Sequence, residues 1–85
     1  MKLIKITQES CRPCSVLNAM MDMLEVEADE VIVVKDFDTD ENVKKYDIMS
    51  TPTLLIVDEN DNVVDRVSGT NPPQISALFN KVGKL

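Results

Sequence analysis

The apolar pattern of the first 34 residues leaves this chain few ways to fold. Lys2 to Thr7 reads as a short strand, in which Leu3, Ile4 and Ile6 supply apolar bulk and Thr7 is β-branched. Gln8-Glu9-Ser10 is polar and turn-like. Leu17, Met20, Met21 and Leu24 then recur at i, i+3, i+4 and i+7, which predicts a helix from about Cys11 to about Val26. Ser10 is placed to cap it, and Pro13 falls in its first turn, where a missing N–H costs little. The acidic stretch Glu25 to Glu30 ends the helix. Val31-Ile32-Val33-Val34 is a continuous β-branched run, as expected for a strand covered on both faces. Strand, helix and strand in this order make a right-handed crossover joining two parallel strands.

The remainder completes one layered unit. Asp36-Phe37-Asp38 closes the second strand. Asp40 to Tyr46 reads as a two-turn helix with Thr39 as its cap and Glu41–Lys45 spaced for an i, i+4 ion pair. Thr53 to Val57 and Val63 to Val67 form a hairpin about the turn cluster Asp58–Asn62. After the loop Ser68-Gly69-Thr70-Asn71, Pro72 opens a last helix carrying Ile75, Leu78, Phe79 and Val82, which Gly83 stops. The order β-α-β-α-β-β-α predicts an α/β fold: a four-stranded mixed sheet with helices on both faces. With 85 residues and 44% hydrophobic content, one domain over residues 1–85 is expected, with enough apolar surface to exclude disorder.

Composition removes several functions. Nine Lys and Arg against fifteen Asp and Glu leave a net charge of −6, which opposes binding to nucleic acid phosphates. No apolar run approaches the roughly 20 residues of a membrane span. The start Met1-Lys2-Leu3-Ile4-Lys5-Ile6 is too short and interrupted for a signal peptide, so a reducing cytoplasm is expected. The chain has no His, which excludes Ser-His and Cys-His hydrolases and removes the commonest metal ligand.

Its two cysteines, Cys11 and Cys14, stand three residues apart, a spacing that random placement on such a chain gives about 2% of the time and that therefore needs a reason. Cys11-Arg12-Pro13-Cys14 sits where a strand hands over to a helix, and a C-x-x-C there is a redox signature. The unpaired N–H groups of the helix start and the Arg12 charge both favour a Cys11 thiolate, the nucleophilic form; Glu9 and the net negative charge oppose it. Cys14, one turn on and on the Leu17 face, is expected to be the less exposed thiol. Attack by Cys11 on a substrate disulfide, followed by attack of Cys14 on Cys11, would release reduced substrate. Three other readings of the pair stay open: a zinc ion shared between two chains, a structural disulfide, and an inert buried pair.

With Cys11-Arg12-Pro13-Cys14 and Ser50-Thr51-Pro52-Thr53 both in place, the chain resembles the thioredoxin superfamily from about Lys2 to Val82, in a short form like those of bacteria and phages. The resemblance implies a minimal thioredoxin fold and a thiol-disulfide oxidoreductase. In it Cys11 and Cys14 are catalytic and Arg12 and Pro13 tune the thiolate. It also implies a cis Thr51–Pro52 peptide facing the cysteines, with backbone near Thr51 pairing to an extended substrate segment. Phe37, Met49 and Gly69 would line the same groove; read from the residues alone, they are core, loop packing and turn. The partners implied are disulfide-containing proteins and a flavoprotein thioredoxin reductase, acting on a monomer that needs no metal and no bound cofactor. Departures are local: Ser10 replaces the usual Trp before the first cysteine, and Lys5 stands where a buried acid is usual. That lysine either favours a Cys14 thiolate or points to solvent. Val67-Ser68-Gly69-Thr70-Asn71 has a single Gly, which favours a protein substrate over glutathione; a glutathione-linked glutaredoxin and a non-catalytic binding module are the alternatives. Met20 and Met21 share the apolar helix face and read as core rather than as a docking surface.

Overall fold

The computed structural model describes residues 1–85. Its elements are β1 (Lys2–Gln8), α1 (Arg12–Leu24), β2 (Glu30–Val34), α2 (Glu41–Lys45), β3 (Thr53–Val57), β4 (Val63–Ser68) and α3 (Pro72–Lys81). The sheet order is β2-β1-β3-β4. β1 pairs parallel with β2, with Ile6 opposite Ile32, and antiparallel with β3, with Ile4 opposite Leu55. β3 and β4 form the antiparallel hairpin, with an irregularity at Ile56/Val57. The mixed four-stranded sheet expected from the pattern of the chain is therefore present. No helix is long and apolar enough to cross a membrane.

Strand alternation divides the core in two, because successive side chains point to opposite faces. On one face Leu3, Leu54 and Ile56 meet Leu17 and Met21 of α1 and Ile75, Leu78 and Phe79 of α3. On the other, Ile4, Ile6, Leu55 and Val57 meet Val34, Val43 of α2, Tyr46 and Ile48. Most of these side chains are fully buried, and each such aliphatic contributes roughly 1.5–3 kcal/mol of transfer free energy. Met21 is core and Met20 packs against it, as their helical spacing predicts, whereas Met23 is exposed.

Several local expectations are corrected. The strand covered on both faces is β3, buried along its whole length. Val31–Val34 lies in β2 at the sheet edge, where Val31 and Val33 are about half exposed (53% and 47%), and an open cavity separates Val31 from Asn18, Met21 and Asp22 of α1. The N-cap of α1 is Cys11, not Ser10; Ser10 takes a left-handed turn conformation (φ 54°). The helix stops at Leu24, short of Val26, because Glu25 adopts the left-handed conformation and turns its N–H back on Met21 and Asp22. Asp40, not Thr39, caps α2, its carboxylate accepting from the N–H groups of Asn42 (2.8 Å) and Val43 (3.2 Å). The Glu41–Lys45 pair does not form: Lys45 reaches Asp61 in the hairpin turn at 2.6 Å.

The free start of β1 is held by Asp29. Its carboxylate accepts the Leu3 N–H at 2.9 Å and the Lys84 ammonium at 3.0 Å, while its own N–H donates to the Leu3 carbonyl at 2.8 Å. The Leu3 N–H first, and Lys84 second, hold the Asp29 carboxyl below its ordinary value of 3.8. A carboxyl lowered by folding contributes stability that is complete above the unfolded value and is lost as pH falls through the folded one. The urea midpoint is therefore expected to fall on acidification below about pH 4, and Asp29→Asn should flatten part of that fall. Asp58, Asp61 and Asp65, also held low by hydrogen bonds, keep the remainder of the acid dependence in the variant.

Candidate functional site

All four strands deliver chain to one end of the sheet. β1 and β2 run toward it, β3 starts from it, and β4 returns to it. The loop after β1 brings Cys11, the first turn of α1 brings Cys14, and the loop before β3 brings Thr51 and Pro52. The two cysteines form a disulfide across the first turn of α1, with Cα atoms 5.2 Å apart. Cys14 is buried (4% exposed) in line with Leu17 and Met21, while Cys11 is only partly covered. The asymmetry follows from the helix: position 14 lies on the core-facing stripe and position 11 is the cap.

Cys11 sulfur accepts the backbone N–H of Cys14 at 3.2 Å. The first turn of α1 contains no acidic residue, so nothing on the helix itself offsets its positive end beneath that sulfur. Arg12 and Pro13 are both exposed on this turn.

Forty residues on, Thr51 faces the same sulfur. Its hydroxyl oxygen lies 3.6 Å and its carbonyl oxygen 3.9 Å from Cys11 Sγ. A disulfide sulfur carries no hydrogen, so the carbonyl approach is a contact and not a hydrogen bond. The Thr51 hydroxyl donates instead to Gln8 Oε1, at 2.7 Å. The Thr51–Pro52 peptide is cis and Pro52 is buried. Gly69 N–H donates to the Pro52 carbonyl at 3.0 Å, and Gly69 adopts φ 89°, which a residue with a Cβ rarely takes. Thr53 is satisfied beneath them: its hydroxyl donates to the Ser50 carbonyl at 2.7 Å.

The structure thus brings together Cys11, Cys14, Thr51, Pro52 and Gly69. Phe37, in the loop after β2, is half-buried against the core on the α2 side of the sheet. Met49, two residues before Thr51, is 79% exposed. Lys5 lies on the α1 side of β1 and donates to Asn18 Oδ1 at 2.6 Å, one helical turn beyond Cys14. Gln8 is the residue that reading the sequence missed. Its polar neighbours Glu9 and Ser10 suggest a turn, yet it is the last residue of β1, opposite Val34. A Gln three residues before a cysteine carries no motif; only the fold shows what it meets.

A family model described as "Thioredoxin domain" matches residues 2–78. A thioredoxin-like protein YosR derived from the SPbeta prophage of Bacillus subtilis is 22% identical over 82 residues, covering 96% of this chain and 99% of that protein. A thioredoxin of Bacillus subtilis is 32% identical over 75 residues, covering 84% and 71%. Among solved structures, reduced Schistosoma mansoni thioredoxin superposes with a TM-score of 0.69 at 26% identity, covering 94% of this chain and 78% of that one. Chlamydomonas reinhardtii thioredoxin f2 superposes at 0.72 with 20% identity, covering 98% and 79%, a likeness of fold.

Proposed function

The chain belongs to the thioredoxin family, and from that premise we propose that it reduces protein disulfides through Cys11 and Cys14. The observation that carries the reading is the inequality of the two sulfurs: one partly open at a helix N-terminus and facing Thr51, the other buried one turn behind it. Cys11, as thiolate, attacks one sulfur of a substrate disulfide. The substrate S–S bond breaks, its second sulfur leaves and takes up a proton, and a mixed disulfide forms. Cys14 then attacks Cys11 Sγ, giving up its proton; the first substrate sulfur leaves and takes up a proton, and the Cys11–Cys14 bond closes. The substrate has gained two electrons and the protein has lost two.

Each neighbour has a role in this sequence. The α1 N-terminus and the Cys14 N–H stabilise negative charge on Cys11, and Arg12 adds a cation beside it. Thr51 and Pro52 form the floor on which an extended substrate segment lies, and Gly69 braces that floor through the Pro52 carbonyl. Met49, exposed two residues before Thr51, is available to that segment, whereas Phe37 packs into the α2-side core. A second dithiol protein must return the electrons; a flavoprotein reductase in a reducing cytoplasm, acting on this 85-residue domain as a monomer, fits that need.

The test is the midpoint potential of the Cys11–Cys14 couple, read by thiol alkylation and mass spectrometry in graded dithiol buffers. A reversible two-electron transition between roughly −200 and −280 mV is expected of a cytosolic reductant. A value near about −120 mV would make the protein an oxidant. Failure to form the intramolecular disulfide at any poise would end the redox reading.

A further inference from the structure

The Thr51 hydroxyl has one proton and two acceptors within reach. In the disulfide form it gives that proton to Gln8 Oε1 at 2.7 Å, although Cys11 Sγ lies 3.6 Å from the same oxygen. A disulfide sulfur is a weak acceptor and an amide oxygen a good one, so this choice costs nothing while the pair is oxidised. Reduction changes the competition. A dithiol gives two electrons to the Cys11–Cys14 bond and is itself oxidised to a disulfide. The S–S bond of the protein breaks, one of the two dithiol protons goes to Cys14 sulfur, the other goes to water, and Cys11 is left as thiolate. The Cys11 sulfur is now an anion, and a hydrogen bond to an anion is roughly twice as strong as one to a neutral group.

We propose that Gln8 is a positioning residue that competes with Cys11 sulfur for the single hydroxyl proton of Thr51, and thereby sets how strongly the reduced form holds its thiolate. This rests on the reductase reading above. Gln8 is well placed for it. It ends β1, and its backbone is held by pairing with Val34, so its side chain starts from a fixed position beside the cysteine loop. It is half-buried and lines the same cavity as Cys11 and Cys14, and its side-chain hydrogen bond is the one it accepts from Thr51. The other donor to Cys11, the Cys14 N–H, is set by the helix and does not depend on Gln8.

The test compares Gln8→Met, which keeps the length and removes the acceptor, with Gln8→Glu, which keeps an acceptor and strengthens it. Both are made in the parent chain and in a Thr51→Val background. The readouts are the equilibrium constant for reduction by a dithiol buffer and the thiolate absorbance of the reduced protein at fixed pH. In the parent, Gln8→Met frees the Thr51 proton for Cys11. The constant for reduction is expected to rise about three- to tenfold, equivalent to ~15–30 mV for two electrons, and the thiolate signal to rise with it. Gln8→Glu should move both readouts the other way. In the Thr51→Val background Gln8→Met should change neither, since no proton remains to compete for. An unchanged constant in the parent, or the same change with and without the Thr51 hydroxyl, overturns the proposal while leaving the reductase reading intact. A parent protein with no reversible disulfide overturns both.

Discussion

Exchange of Cys14 for serine is expected to halt turnover and leave the protein covalently joined to its substrates through Cys11. The geometry makes this the largest functional effect available. After the first attack the mixed disulfide at Cys11 can be resolved quickly only by a sulfur already beside it, and Cys14 is that sulfur, one helical turn away with its Cα at 5.2 Å. A serine hydroxyl at the same place is not ionised at neutral pH and does not attack a disulfide. Cys11→Ser should also fall to the background rate, but without adducts, because the remaining Cys14 is 4% exposed and lies behind the position it would have to attack from. Incubation of each variant with a disulfide-bonded protein, followed by non-reducing electrophoresis and mass spectrometry, separates the two. Adducts through Cys14 in the Cys11→Ser variant would reverse the assigned roles. Adducts in neither variant, with partners still bound, would point to a binding module.

The largest structural effect is expected at Phe79. It is the bulkiest fully buried side chain and sits where α3 meets the sheet, in contact with the cluster that includes Leu17, Leu54 and Ile75. Phe79→Ala removes an aromatic ring from a closed core and should cost about 3–5 kcal/mol. For a chain of this length total stability is on the order of 4–13 kcal/mol, so the variant loses a large share of it. Urea unfolding followed by circular dichroism measures the loss as a drop in midpoint with little change in slope. A loss under about 1 kcal/mol would mean that α3 repacks over the gap.

How far the fold could be read from the chain differs element by element. The two longer helices declared themselves, because Leu17 and Met21, and Ile75, Leu78 and Phe79, recur at the helical period and all prove buried. The cysteine pair and Thr51-Pro52 were legible as motifs. Edges and caps were not. Val31 to Val34 and Leu54 to Val57 are both uninterrupted apolar runs, yet only the second is central; composition along a strand does not say how many neighbours it has. Thr39 and Asp40 are both good caps, and the choice depends on where the helical dihedrals begin. Cys11 as a cap lies outside the usual residue types. Lys45 had two acids within reach, and the hairpin turn, 16 residues away, took it from its helical neighbour. Gln8 and Lys5 carry no local signal: Gln8 meets Thr51 only after β3 has paired with β1, and Lys5 meets Asn18 only after α1 has packed on the sheet.

The two cysteines and Thr51 are attached to β1 and β3, the inner strands of a four-stranded sheet, while β2 and β4 lie outside them. Inner strands are hydrogen-bonded on both sides and open to solvent only when the whole domain unfolds; outer strands fray at far smaller cost. Amide exchange should accordingly be slowest along Ile4–Ile6 and Leu54–Ile56 and faster in β2 and β4. The chain can therefore lose and regain its margins many times between global unfolding events while Cys11 stays opposite Thr51. In a protein of this size, that separation of slow centre from fast rim lets the thiol chemistry outlast the fluctuations of most of its surface.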